Sequence, residues 1–127
     1  MRLNKKNEWI YDNGEKAIWW NPYEGNIIGY YIEFLGALGK WPKYQQLEFK
    51  DGTILYVEFE GYGDSDNDLE LNDPDYEEYY EFYFKILKVK NKTEKCKWRK
   101  NQTIFLNYHN FPIKWEKLSK EEIEKLK

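Results

Sequence analysis

Tyr44-Gln-Gln-Leu-Glu-Phe-Lys-Asp-Gly-Thr-Ile-Leu-Tyr-Val-Glu-Phe-Glu60 consists of two alternating runs separated by Asp51-Gly52. Leu47 and Phe49 fall on one face of the first run. Leu55, Val57 and Phe59 fall on one face of the second, with Tyr56, Glu58 and Glu60 opposite. A period of two is that of a strand with one face turned to a core. Asp-Gly is the dipeptide that accepts the positive φ angles of a two-residue type I′ turn. The stretch therefore predicts an antiparallel hairpin and sets the chain in the β class.

The same reading extends outward. Tyr79–Val89 alternates, with Tyr80, Phe82, Phe84 and Ile86 on one face, and Thr103–His109 places Ile104, Leu106 and Tyr108 together. Lys95–Arg99 predicts a short edge strand whose lysines discourage pairing with other chains. Ile113–Glu116, beyond Pro112, predicts a last strand. Upstream, Ile27–Leu35 is almost continuously apolar and reads as a central strand, ended by a bend over Gly36-Ala-Leu-Gly-Lys-Trp-Pro42. Asn13-Gly14 centres a weaker hairpin with arms Glu8–Asp12 and Glu15–Trp20, in competition with a short helix over Lys16–Trp20 stopped by Pro22. Ser119-Lys-Glu-Glu122 is a capping box, flanked by Leu118 and Ile123 as a hydrophobic staple, and predicts a short C-terminal helix. The expected fold is mainly β: one antiparallel sheet domain over residues 1–127 with six or more strands, as a small barrel or curled sheet. Residues 61–75 are expected to be an acidic loop within it.

The apolar complement is dominated by rings, with six Trp, twelve Tyr and seven Phe in 127 residues. Each buried ring removes ~150–250 Å² from water, so few are needed to fill a small core. Tyr and Trp also anchor protein interfaces when exposed. No 7–15-residue apolar segment follows the basic start, which argues against a signal peptide. No run approaches the ~18 apolar residues of a membrane span. The lone Cys96 excludes an internal disulfide and fits a reducing compartment, so a cytoplasmic location is expected.

Charge is distributed unevenly. The net charge is −3. Between Lys50 and Lys85, however, there are twelve acids and no basic residue, while from Lys85 to Lys127 thirteen Lys and Arg face five Glu. An anionic lobe of this kind attracts cations and basic proteins and repels nucleic acid.

No motif spells out a reaction. Asp64, Asp66 and Asp68 begin like a calcium loop, but Leu69 stands where an EF-hand needs Gly and Asp75 where it needs a bidentate Glu. Glu48-Phe-Lys50 with Glu33 is a faint match to a metal-dependent nuclease, whose phosphate substrate the acidic tract would repel. Gly36-Ala-Leu-Gly-Lys40 lacks the spacing of a phosphate loop. Glu58 and Glu60 share a strand face but no deep cleft is expected around them. Cys96 and the single His109 are linked by no nucleophile motif.

What remains is a non-enzymatic protein without cofactor or metal, whose acidic, Tyr-rich surface binds a basic protein. The expected contact residues are Asp64, Asp66, Asp68, Glu70, Asp73, Asp75, Tyr76, Glu77, Glu78 and Tyr79. Such a surface suits a bacterial immunity protein neutralising a nuclease-type toxin. Alternatives are a phage-encoded inhibitor of host defence that mimics nucleic acid, and a β-barrel module for a small ligand or RNA, using the lysines of residues 85–100 and Trp98.

Overall fold

The computed structural model describes residues 2–11, 13–19, 24–37 and 42–126. It falls into two compact units, one of Met1–Trp41 with Gly63–Glu81 and the other of Pro42–Tyr62 with Phe82–Lys127. The first unit holds fourteen acidic residues against five basic, and the second nine against fifteen, giving net charges of −9 and +6.

The Asp51-Gly52 hairpin forms as expected. Strand β3 (Tyr44–Glu48) pairs antiparallel with β4 (Ile54–Asp66), Leu47 lying opposite Leu55 and Gln45 opposite Val57. Its turn is of another type than the sequence suggests. Gly52 N–H donates to the Phe49 carbonyl and Phe49 N–H to the Thr53 carbonyl, both at 2.9 Å, so three residues form the loop. Only Gly52 has a positive φ, +93°. That is a β-turn closed by a glycine bulge. Asp51 stays at negative φ because one carboxylate oxygen accepts Thr53 N–H at 2.9 Å and the other accepts the Thr93 hydroxyl at 3.1 Å. These hydrogen bonds, that from Thr53 N–H first, hold the Asp51 carboxyl below the usual carboxylate range. Gly52→Ala is expected to cost ~1–2 kcal/mol, the price of an L-residue in the left-handed region. A lower urea midpoint at unchanged slope would register it; an unmoved midpoint would contradict this turn.

The main sheet contains β3 and β4 together with β5 (Glu78–Asn91), β6 (Thr103–Leu106) and β7 (Lys114–Lys117). Its order is β6-β5-β4-β3-β7. The sheet is open, with β6 and β7 as edges, so the barrel alternative does not form. Phe82 lies opposite Leu106 and Phe84 opposite Ile104. These four join Leu47, Leu55, Val57 and Ile86 as buried apolar side chains. Lys95–Arg99 is not the expected edge strand. Its backbone is irregular, and it is held by Trp98, whose ring lies 4.7 Å from that of Phe49. Strand β6 also stops short of Tyr108 and His109, which lie in a turn. At the C-terminus α2 (Lys120–Lys125) carries the complete capping box, Ser119 and Glu122 each accepting the other's backbone N–H at 3.1 Å. The Tyr56 hydroxyl donates to Glu122 at 2.9 Å.

In the first unit β1 (Arg2–Leu3) pairs with β2 (Trp9–Ile10). The turn at Asn13-Gly14 brings Lys16 back to Ile10, with Gly14 at φ +91°. Residues 16–19 are not helical; Trp20 and Pro22 lie outside the described residues.

The largest departure is Ile27–Leu35, expected as a strand and found as helix α1 (Ile28–Ala37). Ile28, Tyr31 and Leu35 are fully buried, while Tyr30 and Glu33 are exposed. That spacing is the stripe of a helix, whereas a strand would bury alternate residues. Two glycines make the packing possible. A Cβ on Gly29 would overlap the Trp9 indole, and one on Gly25 would lie 2.9 Å from Trp19 Nε1. Trp9 Nε1–H donates to the Gly25 carbonyl at 2.6 Å, and its ring meets Tyr30 edge-on at 5.0 Å. Of the bend expected over residues 36–42, residues 38–41 lie outside the described residues. Glu33, being helical, is not the strand neighbour of Glu48 that a nuclease-like site would need.

Candidate functional site

The expected acidic loop over residues 61–75 is shorter than the sequence suggests. Strand β4 continues through Gly61–Asp66, and the irregular connection to β5 spans residues 67–77. All ten expected contact residues lie within the first unit. Asp64 and Asp66 sit at the end of β4, Glu78 and Tyr79 at the start of β5, and the other six in the connection.

Asn67 fastens the neck of this hairpin. Its backbone N–H donates to the Glu77 carbonyl at 3.3 Å, its Oδ1 accepts Glu77 N–H at 3.3 Å, and its Nδ2 donates to the Asp75 carbonyl at 2.8 Å. Beyond it the connection folds on itself. Asp66 accepts Asp68 N–H and Asp73 accepts Asp75 N–H, each at 2.8 Å, while Asp73 N–H reaches the Glu70 carbonyl at 2.9 Å. Asp and Asn favour such turns because their short side chains satisfy backbone N–H groups two residues on. Asp68 takes a positive φ of +64°. The result is a peptide ordered by its own acids, with Asp64, Asp66, Asp68, Glu70 and Asp75 exposed.

The two tyrosines behave differently. Tyr76 is half-buried, and its hydroxyl donates to Glu78 Oε1 at 2.8 Å. That bond, with some desolvation, pushes the phenol up to about 12. Tyr79 is only 8 % exposed and donates to the Asp66 carbonyl at 2.9 Å. Burial, and then Glu81 and Glu77, push its hydroxyl above the usual range. Tyr79 is thus a ring that fixes β5 to β4, not an exposed anchor.

The apolar side chains that the sequence reading overlooked are Leu69 and Leu71, 41 % and 79 % exposed in the middle of the acidic run. A Leu-x-Leu pair inside a charged run was the available signal. A second residue that the sequence left unmarked is Glu24, in the 3-10 turn Glu24–Asn26 ahead of α1. Its side chain is fully buried. Oε1 accepts Tyr80 N–H at 2.9 Å, and Oε2 has no hydrogen-bond partner among the described residues. Burial raises this carboxyl to about 7 against the effect of the Tyr80 bond, with Glu77 and Asp64 adding to the rise.

Among the described residues no three His, Cys, Asp or Glu side chains converge in a way that would hold a metal ion. Glu58 is paired with Lys43 at 3.1 Å and Glu60 accepts the Thr103 hydroxyl at 3.3 Å. No described helix is long and apolar enough to cross a membrane. Chemically, the hairpin offers exposed carboxylates and, between them in sequence, two exposed leucines. That arrangement suits a basic protein surface with an apolar spot at its centre.

Comparison of the chain with protein-family models, with curated proteins and with solved structures finds no match.

Proposed function

We propose that this chain is a non-enzymatic binding protein whose β4–β5 hairpin docks on the positively charged surface of another protein. The observation that carries the reading is the concentration of nine acids and no basic residue in residues 63–81, presented on an ordered hairpin with Leu69 and Leu71 exposed. Charges of one sign around a cleft or protrusion steer encounter and select against partners of like charge. Apolar side chains at the centre then set how long the complex lasts. An inhibitor of a nuclease has this form, its carboxylates standing in for phosphates. The biological setting we favour is a cytosolic bacterial immunity protein that neutralises a toxin; a phage inhibitor of host nucleases is the nearest variant.

A second reading has one observation in its favour, the +6 charge of the second unit. Lys97, Arg99 and Lys100 line a shallow surface depression there with Asn101 and Gln102. Trp98, which would have to stack on a base, is instead engaged with Phe49. RNA binding is therefore the weaker alternative.

Capture from the native host with two baits separates these readings. The wild-type chain should retain a basic protein that is lost from the Asp64→Asn/Asp66→Asn/Asp68→Asn bait and released at high salt. A control bait with Glu121→Gln and Glu124→Gln in α2 should retain it. If the triple variant and the wild type retain the same proteins, or if RNA is the retained species, the hairpin is not the docking element. Once the partner is in hand, Leu71→Ala is expected to weaken binding by ~1–2 kcal/mol, chiefly through faster dissociation. An unchanged dissociation rate would remove Leu71 from the contact.

A further inference from the structure

Resting on the docking reading, we propose that binding of a cationic partner to the acidic hairpin is proton-linked through Glu24, whose carboxyl carries more proton in the free protein than in the complex. The geometry is specific. Glu24 is fully buried, one oxygen accepts the backbone N–H of Tyr80 at the start of β5, and the other has no partner among the described residues. Among the described residues the charged groups acting on it are Glu77 at the hairpin neck and Asp64 in β4, both negative. Of the other described groups near its turn, the Trp9 indole hydrogen-bonds the Gly25 carbonyl and the Trp19 indole lies against Gly25. Glu8 and Lys16, paired with each other, line a pocket beside Gly25. Among the described residues no lysine or arginine offsets a charge on Glu24.

A buried carboxyl between two acids is held neutral both by desolvation and by like charge. A cation placed over Asp64 and Glu77 removes the second of these and adds attraction, so it favours the ionised form. Linkage then requires the converse, namely that ionising Glu24 tightens cation binding by the same factor. The midpoint in the free protein lies near 7, so the effect falls in the neutral range. Affinity should rise with pH there, because the complex carries less proton than the free protein. If docking lowers the Glu24 midpoint by about one pH unit, the limit of the gain is about tenfold.

A capped arginine nonapeptide is a suitable probe, since guanidinium does not titrate in this range. The measurement is the carboxyl carbon-13 shift of Glu24 against pH, with and without the peptide at low salt, alongside peptide affinity at pH 6 and pH 8. A His109→Gln background removes the single histidine. The expected result is a Glu24 midpoint that falls when the peptide binds, and a severalfold higher affinity at pH 8. Glu24→Gln, which keeps the acceptor for Tyr80 N–H, should bind with equal affinity at both. Peptide binding that leaves the Glu24 titration unmoved overturns the proton linkage and leaves the docking reading standing. Absence of peptide binding overturns both.

Discussion

Between pH 5 and pH 8 the wild-type protein is expected to lose ~3 kcal/mol of stability that the Glu24→Gln variant does not lose. Burial pushes the native Glu24 carboxyl up to about 7, against 4.5 for an ordinary glutamate. A carboxyl raised on folding binds more protons in the native state than in the unfolded chain. Stability from this source is complete below the unfolded value, declines as pH rises through the interval, and is gone above the native value. The sign is opposite to that of Asp51, Glu8 and Glu122, whose carboxyls are lowered by hydrogen bonds. Their contribution is present at neutral pH and lost only in acid. Subtracting the variant's unfolding curve from the wild type's cancels those groups and isolates Glu24. The variant keeps an oxygen to accept Tyr80 N–H, so its profile and not its absolute stability is the quantity to compare. Parallel wild-type and variant profiles would mean that Glu24 is solvated and the burial described here is wrong.

Gly29→Ala is expected to be the most damaging small substitution in the first unit. A Cβ at this position overlaps the Trp9 indole. That ring is itself held by the Gly25 carbonyl at 2.6 Å and by Tyr30. Overpacking of a fixed site costs ~1–3 kcal/mol and sometimes more, while removing the ring in Trp9→Ala costs ~3–5 kcal/mol. The two effects share one cause. The double variant should therefore be no less stable than Trp9→Ala alone, because the alanine methyl then enters space the indole has vacated. Denaturant midpoints of the four proteins close the cycle. Additive losses would show that Gly29 and Trp9 are not in contact.

Both residues also explain where the sequence misleads. Ile-Ile-Gly-Tyr-Tyr-Ile-Glu-Phe-Leu is apolar enough for either a strand or a helix, and period alone does not separate the two in so short a run. The deciding contacts come from Trp9 and Trp19, which lie outside it. The hairpin at Asp51-Gly52 was legible because alternation and turn chemistry are local. Its turn type was not, because Asp51 is held at negative φ partly by Thr93, forty-two residues away. Lys95–Arg99 imitates a strand through its alternating lysines, yet it is held by the ring contact between Trp98 and Phe49 and by Cys96 and Arg99 N–H groups bonded to Thr93 and Gln102. The acids of the hairpin were legible as a group because they lie close together in sequence. The order of the contact residues within it was not: Tyr79 alternates like an exposed anchor, but its hydroxyl satisfies the Asp66 carbonyl. Glu24 carries no local signal, since its burial depends on the Tyr80 backbone in a distant strand.

The most direct test of the docking account is the association rate with the native partner, followed across ionic strength for wild type and for Asp64→Asn/Asp66→Asn/Asp68→Asn. Exposed charges act mainly on encounter, so the variant should associate more slowly at low salt, on the order of tenfold, with a flatter salt dependence and a nearly unchanged dissociation rate. Relieving like-charge repulsion should leave its fold intact. An unchanged association rate and salt slope would contradict the account and leave the acidic hairpin with a role in solubility alone.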